Sequence, residues 1–234
     1  MNKIVGIQGN INFQPFKLEK EHLRTIQDSL EDFYGSGSNT VLGVPAGAPP
    51  EIPIMVCQSE HNHSQVHVSR VNGQFIARFD DNYSGRFDTC FDYCQKRIGL
   101  LNQALVEIGV KINYSGIIVK YVCDKDLRAI NNLRKKAFHF EDSYKVFDVL
   151  GKATYVKDDI FYVNLSMSNL RNTSSNKETV DVSLDVNDRY YFNYANDVIH
   201  NPKETLGDIF KIHKDFAHNT LDDLIFRGVF EDGK

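Results

Sequence analysis

Between Ser84 and Ile108 the chain carries an apolar stripe whose spacing fits one secondary structure. Phe87, Phe91, Cys94, Ile98, Leu101, Leu105 and Ile108 follow one another at intervals of 4, 3, 4, 3, 4 and 3. That rhythm follows the helical repeat and predicts a long amphipathic helix, stopped at Gly109. Such a stripe must be covered. Two coverings are open: a β-sheet beneath the helix, or the same stripe of a second chain in a coiled-coil seam. Charges at the flanking positions are sparse, which favours the sheet. In the seam alternative Phe87, Phe91, Ile98 and Leu105 are interface residues.

The rest of the chain supplies strands for that sheet. Val5, Ile7, Ile11 and Phe13 alternate with Gln8, Asn10 and Asn12, the period-two pattern of a half-buried strand. Leu23, Ile26, Leu30 and Phe33 fall on one face of a helix over 18–34, with Gly35 as its stop. After a Pro-rich stretch, residues 45–53, three short β-rich runs follow at 52–58, 65–70 and 74–79. Asn72-Gly73 between the last two predicts a hairpin turn.

Beyond Gly109 the same order returns. A strand is expected over 112–123, a helix over 125–138, strands over 144–150, 160–167 and 180–186, and a helix opened by Asn201-Pro202-Lys203-Glu204. The fold class is therefore α+β, with antiparallel sheets covered by long helices. Element order suggests two β-α-β-β-β-α halves, 3–109 and 111–230, or one continuous domain. Leu23-Arg24-Thr25-Ile26 is echoed by Leu127-Arg128-Ala129-Ile130. A short closing strand is expected over 226–230.

Charge and cysteine usage narrow the function classes. The formal net charge is −4, and the densest basic run, Arg134-Lys135-Lys136, reads as a solvated helix face. Nucleic acid is not expected as a partner. No apolar run approaches the ~20 residues of a transmembrane helix, and the N-terminus lacks the pattern of a signal peptide. Four cysteines are too few for a disulfide framework, so reduced thiols and a cytoplasmic location are expected.

Three stretches carry a likeness to a known family. They are Phe13-Gln14-Pro15-Phe16 at the end of the first strand, the strand from Tyr114 to Tyr121, and Leu184-Asp185-Val186 with the later helix bearing Ile212-His213. Together they resemble an uncharacterised, sporadically distributed bacterial family of about this length. Val119-Lys120 departs from that family's Gly–apolar–Arg–Tyr strand. The resemblance implies an α+β fold and assigns no catalytic residue.

Candidate sites are few. His61, His63 and His67, with Glu60 beside them, form the densest set of metal-ligand side chains. They sit at a strand–strand turn, where zinc could be held and Glu60 could serve as a base. The plainer reading is a solvated polar hairpin. Cys90 and Cys94 lie on or beside the apolar stripe and read as buried thiols. His213 falls on the apolar face of its helix and reads as a core histidine bonded to the backbone. The run Asp185–Asp188 begins like a calcium loop but has Tyr190 and Asn196 where Gly and Glu are needed. No phosphate-binding loop or nucleophile elbow occurs. Tyr190, Tyr191, Phe192 and Tyr194 place four rings within five residues, a pattern suited to a partner interface.

The sequence therefore predicts a non-enzymatic interaction or assembly component without a cofactor, binding a protein partner or a second copy of itself. A metal-dependent hydrolase or metal-binding protein built on the histidine hairpin is the first alternative. A binder of a small apolar ligand, held between sheet and long helix, is the second.

Overall fold

The computed structural model describes residues 2–35, 38–45, 47–123, 149–172, 177–190 and 202–224. Among these, nine strands form one antiparallel sheet. They are β1 (Asn2–Phe13), β2 (Asn39–Val41), β3 (Met55–Gln58), β4 (Ser64–Val68), β5 (Asn72–Arg78), β6 (Ile112–Cys123), β7 (Val149–Lys157), β8 (Phe161–Asn172) and β9 (Lys177–Asn187). Across the sheet the order is β2-β3-β4-β5-β1-β6-β9-β8-β7. The sequence left open whether the two segments share a sheet, and the central pair answers it. β1 and β6 hydrogen-bond along nearly their whole length, so strands from both segments share one sheet.

Three helices lie against one face: α1 (Lys20–Tyr34), α2 (Phe87–Glu107) and α3 (Pro202–Asp215). A π-helical turn (Phe216–Thr220) and a last helical turn (Leu221–Asp223) extend α3. α1 starts with a reciprocal cap, in which the Glu19 backbone N–H donates to His22 Nδ1 at 3.1 Å. It ends at Gly35, whose φ of 64° is a left-handed value. Gly109, at φ 84°, stops α2 where its position in the sequence predicts.

α2 lies directly on β1 and β5, with Phe91, Cys94, Ile98, Leu101 and Leu105 fully buried. The stripe is spent on the chain's own sheet. This corrects the coiled-coil alternative for Phe91, Ile98 and Leu105, because no part of them is left for a partner. Phe87 is partly buried and packs edge-on to Tyr121, at 6.2 Å between ring centroids.

Two glycines let α2 come this close. A Cβ on Gly9 would stand 2.5 Å from Ile98 Cδ1, and one on Gly73 would stand 3.0 Å from Leu105 Cδ1. Gly9→Ala is therefore expected to overpack the buried Ile98–Ile117 contact and cost about 1–3 kcal/mol. A lowered urea midpoint with an unchanged slope is the expected reading. An unchanged midpoint would show that α2 does not bear on this strand.

Gly73 also corrects a turn. Asn72-Gly73 was expected between strands, yet both residues lie in β5, with Gly73 opposite Val68. The reversal is made one step earlier, where Ser69 Oγ accepts from the backbone N–H groups of Val71 and Asn72 at 3.2 and 3.0 Å. The glycine serves helix–sheet packing rather than the turn.

Of the strand expected over 144–150, residues 144–148 lie outside the described residues; β7 continues beyond it to Lys157 and pairs with β8 from Val149↔Asn169 to Lys157↔Phe161. The two strands are joined by a tight turn with Asp158 and Asp159 at φ 55° and 53°. Left-handed backbone at two aspartates gives no glycine for the sequence to announce. The expected helix over 125–138, the basic run Arg134–Lys136 and the strand over 226–230 lie outside the described residues.

Candidate functional site

The sheet's two faces differ in chemistry. On the helix side Ile7, Ile11, Val66, Phe75, Ile117, Val119, Val182 and Leu184 are buried. On the other side amides and hydroxyls predominate among the described residues. Gln74 Nε2 donates to Asn10 Oδ1 at 3.0 Å, and Thr154 Oγ1 donates to Asn164 Oδ1 at 2.8 Å. Asp185 belongs to this face and accepts from the side-chain amides of Asn164 and Asn187 at 3.2 and 3.3 Å. Partial burial holds its carboxyl above the usual carboxylate range, against those two hydrogen bonds and Lys152. Asp181, four residues along β9, is raised by burial as well. Of the two, Asp185 was legible only as the start of a failed calcium loop. Both sit among amides, which position but do not activate.

The histidines sit at and beyond the β3–β4 turn. His61 and His63 are exposed, and their rings meet edge-on with centroids 6.1 Å apart. His67 lies on β4, four residues beyond His63, which is about 13 Å of extended chain. Its Nε2 is 3.2 Å from Gln65 Oε1, and partial burial lowers its pKa. Among the described residues no group of three His, Cys, Asp or Glu side chains is arranged to hold a metal ion. The geometry thus brings His61 and His63 together and sets His67 apart.

All four cysteines are buried, and none is in a disulfide. Burial pushes the Cys57 and Cys90 thiols up to about 12 and raises Cys94 further from its ordinary value. At neutral pH such thiols are not nucleophiles. His213 is fully buried and its Nε2 lies 3.0 Å from the Ile117 carbonyl oxygen, as a core histidine should. Tyr190 packs edge-on against Tyr162 with ring centroids 5.3 Å apart, and is half-buried. Tyr191, Phe192 and Tyr194 lie outside the described residues.

Between sheet and α2, where an apolar ligand was expected, the helix comes close to the strands at Gly9–Ile98 and Gly73–Leu105.

The sheet's two ends contrast. β3 is covered by β2, three residues long and followed by a segment containing Pro45, Pro49, Pro50 and Pro53. Short strands and prolines blunt an edge against further pairing. Among the described residues the other end is β7, nine residues long. Leu150 is 72% exposed, Tyr155 50% and Val156 40%. Leu150, Lys152, Thr154 and Val156 share the polar side of the sheet. Gly151, Ala153 and Tyr155 share the other. Sequence reasoning expected a strand over 144–150 but not that a strand here would end the described sheet.

The sequence matches no protein-family profile and no curated protein. Among solved structures, one that is similar in part is the aspartate kinase of Clostridium acetobutylicum. It is 10% identical over 90% of this chain and 33% of that chain, with a TM-score of 0.18. The chain thus spans about a third of that protein's length, and a likeness of this size carries no argument about fold or activity. What stands is an α+β protein with one nine-stranded antiparallel sheet. Among its described residues no helix is long and apolar enough to cross a membrane.

Proposed function

We propose that the protein is a non-enzymatic assembly component that joins a second copy of itself edge to edge through β7. The observation that carries this reading is the nine-residue edge strand with Leu150, Tyr155 and Val156 exposed. An unpaired strand edge is a template for another strand, and strand addition is a recurrent mode of recognition.

The strand's own pattern favours a second copy over an unrelated partner. In an antiparallel pairing centred on Ala153, Leu150 of one copy lies opposite Val156 of the other. Tyr155 lies opposite Gly151, whose missing side chain leaves room for the ring. Lys152 lies opposite Thr154, so no lysine directly faces a lysine within 150–156. Directly opposed apolar pairs stabilise a sheet and directly opposed like charges destabilise it.

The finer organisation belongs to the same reading. Two copies of a β-α-β-β-β-α unit would meet at β1 and β6. The order β1-β5-β4-β3 on one side and β6-β9-β8-β7 on the other supports this, as do α2 after β5 and α3 after β9. On that correspondence β7 is the counterpart of β3, without a strand like β2 to cover it among the described residues.

Sedimentation equilibrium across a concentration series tests the reading. Twice 26.8 kDa is expected for the native chain. Leu150→Lys combined with Val156→Lys is expected to weaken dimerisation at least tenfold, with the circular dichroism spectrum unchanged. A single chain mass at every concentration, or a dimer indifferent to both substitutions, would overturn it.

A further inference from the structure

The turn between β3 and β4 is pinned from several sides. The Ser59 N–H donates to the Ser64 carbonyl and the Ser64 N–H to Ser59 Oγ, both at 2.9 Å. Within the turn the Asn62 N–H donates to the Ser59 carbonyl at 2.9 Å, and Asn62 takes a left-handed φ of 57°. The Gln58 side-chain amide donates to Asn62 Oδ1, and the Arg78 N–H, at the end of β5, donates to the His63 carbonyl at 2.9 Å.

His61 and His63 stand on this frame, one on each side of Asn62, and both are exposed. The other described histidines spend a ring nitrogen on the chain. His22 accepts from the Glu19 N–H, His67 meets Gln65, His213 meets the Ile117 carbonyl and His218 meets Asp88. Among the described residues His61 and His63 have no such bond, and their contact is with each other. The two ring centroids are 6.1 Å apart, with the planes at 73°. Two imidazoles that share one ion, each through a nitrogen about 2.0–2.1 Å from it, hold their centroids roughly 5–6 Å apart. The observed spacing lies at the outer end of that range, and exposed side chains turn readily enough to close the difference.

We propose that His61 and His63 form a two-imidazole chelate for a late first-row divalent transition-metal ion, with Cu²⁺ held most tightly and water on the remaining positions. Neutral imidazole suits copper, nickel and zinc, and at a common donor set affinity rises from nickel to copper and falls again at zinc. Mg²⁺ and Ca²⁺ take oxygen donors and are not bound by this pair. His67 takes no part, being four residues further along the chain with its Nε2 beside Gln65 Oε1. Because the turn is already fixed, binding has little to order beyond the two side chains. With two protein ligands the ion keeps open positions for a ligand from outside.

The test is titration of the untagged full chain with CuCl₂, ZnCl₂ and MgCl₂, read by calorimetry and, for copper, by electron paramagnetic resonance. Cu²⁺ is expected to bind at the pair with imidazole nitrogen splitting in its spectrum, more tightly than Zn²⁺, and Mg²⁺ not at all. His61→Ala and His63→Ala should each weaken Cu²⁺ binding roughly tenfold or more, because the second ligand acts through its local concentration. The double variant should bind little more weakly than either single one. His67→Ala should bind as the native chain does. All four variants should keep the native circular dichroism spectrum, since the substitutions lie on an exposed turn or a half-buried strand position. A double variant with native affinity would place the copper on other groups. Single variants with native affinity would show two separate one-histidine contacts, and a tenfold loss in a folded His67→Ala would show a three-histidine site. Each of these results would overturn the proposal.

Discussion

Phe91→Ala is expected to lower the free energy of unfolding by about 3–5 kcal/mol, the range for deleting a buried phenylalanine ring. The ring is fully buried beneath α2, and its centroid lies 6.5 Å from that of His213 on α3. Removing it opens a cavity where α2 meets α3, and these two helices rest on neighbouring parts of the sheet. Close packing elsewhere in the core limits how far the site can collapse. A loss of this size is a large part of a typical domain's stability. For a chain of this length it should lower the melting temperature on the order of 10 °C. Equilibrium urea denaturation read by circular dichroism checks it. The oligomeric state should not change, because the ring faces the chain's own core. A loss under about 1 kcal/mol, or dissociation without loss of stability, would return the stripe to a partner interface.

That contrast shows which parts of the fold the sequence exposed. α2 was legible because an amphipathic helix writes its burial into a local rhythm, and seven residues from Phe87 to Ile108 keep it. β1 and β9 were legible for the corresponding period of two. The order of strands was not, because it is set by pairings between distant residues. Asn2 meets Cys123, and Gly116 meets Asn187, and no local pattern records either. Gly73 shows the same limit at one residue. Asn72-Gly73 carries a turn signal, but the glycine answers to Leu101 and Leu105 on a helix that follows it in the chain. Tertiary packing overrode a local preference.

The candidate sites divide along similar lines. His61 and His63 were legible as neighbours because a single residue, Asn62, separates them, whereas the distance to His67 follows from the extended strand. The β7 edge was hidden because an edge is a property of the whole sheet. A groove lined by Leu100 and Val106 of α2 was hidden more deeply, because it takes Phe33 from α1 and Leu206 from α3 to form it.

His213 sets the second large effect, on acid stability. Its Nε2–H donates to the Ile117 carbonyl at 3.0 Å, which leaves Nδ1 unprotonated and, in the buried core, without a partner. Protonating Nδ1 would place a cation in a site with no solvent exposure and no acceptor. Burial therefore lowers the imidazole's pKa from 6.5 to about 4, and the bond to Ile117 opposes this only in part. The folded value lies below the unfolded one, so below 6.5 the unfolded chain binds a proton that the folded chain refuses. Stability is lost as the pH falls from 6.5 towards about 4, and the loss levels off once both states are protonated. At about 1.4 kcal/mol for each pKa unit, the full effect is roughly 3 kcal/mol. Asp181 and Asp185 act in the opposite sense. Their raised carboxyls take up protons in the folded state first, which favours folding as acid is added. The comparison that isolates the histidine is His213→Gln, whose side-chain amide can still donate to Ile117 and does not titrate. Whatever its stability at neutral pH, that variant should lose roughly 3 kcal/mol less than the native chain between pH 6.5 and about 4. Parallel pH profiles for the two proteins would mean that the imidazole is solvated when the chain is folded.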